Sequence, residues 1–103
     1  MKRVIDTSEV LGTVETPEGV SEVCASAEAS FDEAAGRMVV RLEAFLRPAG
    51  LLVKERHFRV DWLPASETIT ESVNHEECHE MARDIFHRWA QKVRDAAPSL
   101  HHV

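Results

Sequence analysis

The chain has 103 residues, 44% hydrophobic and 29% charged, which suits one domain with its own core and excludes a disordered segment. Its net charge of −6 makes duplex nucleic acid a poor partner, because that partner rewards a concentrated basic face. Two cysteines are too few for a disulfide framework. The charge is unevenly spread: residues 1–35 carry two basic and eight acidic side chains, residues 36–64 six and three, residues 65–103 four and seven.

The start, Met1-Lys2-Arg3-Val4-Ile5-Asp6, is basic but lacks the apolar stretch of a secretory signal. No apolar run nears the roughly 18–20 residues of a membrane span. A cytoplasmic location and no membrane partner are the expectations. Val4, Ile5, Val10, Leu11 and Val14 then indicate one or two short strands, with Gly12 as a weak point.

Thr16-Pro17-Glu18 has the form of a helix start: a capping hydroxyl, a proline at the first helical position, and an acid at the positive end of the dipole. Val20, Val23, Cys24, Ala27, Phe31, Ala34, Ala35, Met38, Leu42, Phe45 and Leu46 follow at three- and four-residue spacing. That stripe predicts one helix from about 18 to 46, closed by Pro48-Ala49-Gly50. The rival is a break at Gly36, with 38–46 as a strand pairing with the next segment. A helix of this length would overhang a small monomer, so a homodimer packed through Phe31, Met38, Leu42 and Phe45 is expected.

In residues 51–63, Phe58, Val60 and Trp62 alternate with His57, Arg59 and Asp61, the period of a half-buried strand. Lys54, Arg56, His57 and Arg59 form a candidate anion patch there. Residues 65–73 read as a loop or a short edge strand around Thr68–Thr70. Asn74 and Glu77 have the spacing of a capping box. They open a second helix with the stripe Cys78, Met81, Ala82, Ile85, Trp89, Val93, Ala96 and Ala97, ended by Pro98.

His75-Glu76-Glu77-Cys78-His79 matches H-E-x-x-H, which sets two histidines around a zinc ion beside a glutamate base. A chance match arises in roughly 1 in 25 chains of this composition. The charged Glu77, the position at the helix start, and Ala82 and Ile85 where the longer motif needs glycine and histidine all weigh against catalytic zinc. His75, His79 and Cys78 remain weak metal candidates. Cys24 and Cys78 read as small buried residues, one on each stripe.

The fold expected is α+β: two long amphipathic helices on one face of a small antiparallel sheet. It forms a single domain over 1–98, with a loose tail at 99–103. The function expected is a non-enzymatic protein-interaction or assembly module without a cofactor, acting as a homodimer. The alternatives are a metal-binding protein or hydrolase using His75, Glu76 and His79, and a regulator that binds an anion through the 54–59 strand.

Overall fold

A computed structural model describes residues 2–16, 19–48 and 66–96. Its frame is an antiparallel four-stranded sheet of order β1-β2-β3-β4. The strands are β1 (Lys2–Thr16), β2 (Gly19–Asp32), β3 (Arg37–Pro48) and β4 (Ser66–Ser72). A 3₁₀ turn, His75–Glu77, leads into the helix α1 (Cys78–Ala96), which packs across one face of β1, β2 and β3.

The expected architecture is therefore corrected: one long helix backs the sheet, not two. The segment assigned to the first helix is the β2–β3 hairpin, with Ala27 opposite Leu42 and Phe31 opposite Met38. Residues four apart share a face in a strand as well as in a helix, so 23, 27 and 31, or 38, 42 and 46, fit either period. The residues between them decide it. Val23, Ala25, Ala27, Ala29 and Phe31 are buried, as are Met38, Val40, Leu42, Ala44 and Leu46. Glu22, Ser26, Glu28 and Ser30 alternate with the first set, Arg41, Glu43 and Arg47 with the second. Alanine's helix propensity is overridden by this two-residue alternation. The rival reading located the 38–46 strand correctly, but its partners are β2 and β4.

Thr16 does not start a helix either; it pairs with Gly19, where β1 gives way to β2. Gly19 has φ +122°, a conformation that L side chains rarely adopt. The β2–β3 connection is a four-residue turn, Glu33–Gly36. The Asp32 carboxylate accepts hydrogen bonds from the amides of Ala34 and Ala35 at 3.1 and 3.4 Å. Gly36 closes the turn at φ +62°, and its carbonyl accepts the Val73 amide at 3.2 Å. The entry to the helix is thereby tied to the far end of the hairpin.

Residues 2–16 form one long edge strand. Its pairing slips between Arg3 and Ile5 and again between Val10 and Gly12, so the weak point at Gly12 is a bulge within one continuous strand rather than a break between two. Beneath α1 the central strand β2 presents Ala25, Ala27 and Ala29, and the helix answers with Ala82 and Ala90, all buried. Ile85, Phe86, Trp89 and Val93 fill the space on either side.

Phe31, Met38 and Leu42, expected at a dimer interface, lie in this core at 4%, 0% and 2% exposure. Phe45 is half-buried on the opposite face, across from Cys24. The overhanging helix from which the dimer was argued is not formed. The strand expected over 51–63, with its anion patch Lys54, Arg56, His57 and Arg59, lies outside the described residues. So do Trp62, Pro98 and the tail.

Candidate functional site

The H-E-x-x-H segment straddles two kinds of helix. His75 belongs to the 3₁₀ turn and His79 to the first turn of α1. The His75 ring packs against Phe31 with centroids 5.2 Å apart, and its carbonyl accepts the Cys78 thiol at 2.9 Å. Glu76 and Glu77 are exposed. Asn74 makes no side-chain cap; its carbonyl instead accepts the Glu77 amide at 2.9 Å. His79 lines a hollow beside β1 together with Arg83, Phe86 and His87. Among the described residues, no three His, Cys, Asp or Glu side chains form a group able to hold a metal ion.

The cysteines are separated by the sheet. Cys78 belongs to the core under the helix. Cys24 alternates with Val23 and Ala25 and faces the other way, opposite Val10 and Phe45. Both are free and buried. Burial pushes the Cys24 thiol above its usual pKa, partly offset by the Arg47 guanidinium, so it is poorly suited to act as a nucleophile. Arg47 itself is held by Glu22 at 3.2 Å.

Three shallow hollows of 330–350 Å³ mark the described surface. One lies on the sheet face away from the helix, where Arg41 stands among Asp6, Glu28 and Glu43 with Ser26 and Thr68. A second lies between β1 and α1, where Glu9 borders it together with His79, Arg83 and His87. The third lies between β4, which among the described residues is an edge of the sheet, and α1, and has the clearest construction. Leu42, Ile69, Ile85 and Trp89 give it an apolar floor, and Glu67, Glu71, Arg88 and Lys92 form its rim.

This third trough is built by local chemistry. Ile69 sits opposite Val40 in the β3–β4 register, so it faces the helix side and is half-buried. Glu67 and Glu71, two places away in each direction, share its face. From the helix, the Trp89 indole N–H donates to the Glu43 carbonyl at 3.3 Å, fixing the ring beneath the strand edge. The Lys92 ammonium lies 5.9 Å from that ring's centroid and donates to the Glu67 carboxylate at 3.4 Å. Arg88 is paired with Asp84 at 2.9 Å. The outcome is a greasy slot with both signs of charge along an edge strand. Periodicity alone did not disclose it, because it requires knowing that α1 lies alongside β4. The only sequence signal was the short, uncovered look of residues 65–73.

Compared with protein-family models, curated proteins and solved structures, the chain matches none. Among the described residues, no helix is long and apolar enough to cross a membrane.

Proposed function

We propose that this chain is a non-enzymatic protein-interaction module that takes up an extended protein strand along β4. The observation that carries this reading is the trough between β4 and α1. An edge strand offers a row of backbone donors and acceptors to an incoming strand. Such additions draw affinity from main-chain hydrogen bonds and selectivity from pockets for alternate side chains. Here the pocket is the floor of Leu42, Ile69, Ile85 and Trp89. It suits a strand with one apolar side chain turned to the helix side. Glu67 and Glu71, Arg88 and Lys92 border the trough, so charged residues of either sign two places from that apolar residue find a partner.

Neither alternative function draws comparable support. His75 packs against Phe31 and His79 lines the hollow beside β1, and the basic 54–59 segment lies outside the described residues.

The test is a titration of the isotope-labelled full chain with the synthetic peptide Ser-Lys-Thr-Ile-Thr-Lys-Ser. Its lysines would stand beside Glu67 and Glu71. Saturable shifts of the amide signals of residues 66–72 and of the Trp89 indole are expected, and Ile69→Lys should abolish them. Shifts confined to other parts of the chain, or none at all, would contradict the reading.

A further inference from the structure

We infer that the strand taken up by β4 is β4 of a second copy of this chain, antiparallel about a two-fold axis at Ile69. This inference rests on the strand-docking reading above and names its partner.

The strand Ser66-Glu67-Thr68-Ile69-Thr70-Glu71-Ser72 reads identically in both directions. Any strand can meet its own copy antiparallel, and a two-fold axis at residue 69 then sets 68 against the partner's 70 and 67 against the partner's 71. In this strand the symmetry makes every such pair like with like. Ile69 meets its own copy on the helix side, at the centre of the trough. Thr68 meets the partner's Thr70 twice on the outer face. β-branched and Thr–Thr cross-strand pairs are among the favourable ones. A closed two-fold contact is self-complementary by construction and leaves no further β4 edge for growth. The axis stands perpendicular to the sheet. The product is a continuous eight-stranded sheet with both helices on one face, their Arg88 and Lys92 side chains bordering the same seam.

The flanks oppose this pairing, and that gives it a signature. Glu67 comes opposite the partner's Glu71, a like-charge pair that weakens a sheet contact. Lys92 already neutralises Glu67. Among the described residues Glu71 has no ion pair, so its charge is the less compensated one. Removing that charge should strengthen the contact, which a substitution that merely damages the fold would not do.

The experiment is sedimentation equilibrium of the full chain at increasing concentration, with Ile69→Cys and Glu71→Gln alongside. Three results are expected. The parent reaches the mass of two chains. Ile69→Cys forms a disulfide-linked dimer on mild oxidation, while the parent, whose Cys24 and Cys78 are buried, does not. Glu71→Gln tightens self-association about two- to thirtyfold, the range for two like-charge pairs relieved. A pair of chains carrying Thr68→Cys and Thr70→Cys checks the register, and should cross-link to each other in preference to themselves.

A dimer that Ile69→Cys fails to trap would overturn the axis. A chain that stays single at high micromolar concentration, yet binds the lysine strand peptide at β4, would overturn the second copy and leave the strand-docking reading standing. A single chain that ignores the peptide as well would remove both.

Discussion

Met38 is fully buried on the helix-covered face, opposite the buried Phe31. Met38→Ala should therefore cost about 2–5 kcal/mol, measured by denaturant unfolding, since such a site collapses poorly around a cavity. At Gly36 the constraint is backbone. A Cβ there would meet nothing within 4 Å, but φ is +62°, so Gly36→Ala should cost about 1 kcal/mol through the left-handed conformation alone. Cys24 offers a pH readout. Its folded pKa lies above the unfolded value because burial disfavours the thiolate. Its contribution to stability is complete below the unfolded thiol's pKa and is lost as pH rises from there through the higher folded one. Iodoacetamide should label Cys24 more slowly than an exposed thiol at the same alkaline pH, and denaturant should abolish the difference. The exposed Lys2–Glu33 pair, 2.6 Å apart, raises the lysine pKa and lowers the glutamate's. It is expected to matter little to stability.

At the scale of elements, α1 was the most legible part of the sequence. Its apolar stripe located Cys78, Ala82, Ile85, Trp89 and Val93, each of which is buried. Phe86 and Ala90 were missed because they widen that stripe, Phe86 toward β1. The β2–β3 hairpin was illegible for a specific reason. Its inward residues at 23, 27 and 31, and at 38, 42 and 46, are four apart, a spacing that one face of a helix satisfies as readily as one face of a strand, and the inward Ala25, Ala27, Ala29 and Ala44 add helix propensity. The decisive clue was the polar set Glu22, Ser26, Glu28 and Ser30 between them, which a helix of that phase would bury in part. The same alanines carry a prediction. Ala27→Leu should destabilise the fold by about 1–3 kcal/mol or more through overpacking, although leucine is the larger hydrophobe. On the helix, Trp89→Phe should cost about 1 kcal/mol for the lost bond to the Glu43 carbonyl, besides any loss of packing. It should also loosen the floor on which an incoming strand would rest.

The molecule is elongated, with principal extents of 48 × 26 × 23 Å. The 15 residues of β1 account for the long axis, at about 3.3 Å each. The 19 residues of α1 span about 28 Å, so the helix covers little more than half the length of the β1–β2 hairpin. The two sheet edges differ accordingly. β1 is long but twice bulged and charged, and the bulges and charges are features that blunt an edge against unwanted pairing. β4 is short, without register shifts in its pairing with β3, and symmetric in sequence. The sequence offered residues 65–73 as a loop or a short edge strand, but β1 could not be assigned to an edge before the hairpin was recognised, because the order of strands decides which of them lies outermost.

Amide hydrogen exchange across β4, followed as protein concentration rises, tests edge pairing most directly. The amides of alternate residues in Ser66–Ser72 that face away from β3 should exchange freely in dilute solution. They should become protected in step with self-association, while Ile69→Lys leaves them unprotected at every concentration. Exchange at β4 that is indifferent to concentration in the parent chain, with the same amides open throughout, would contradict it.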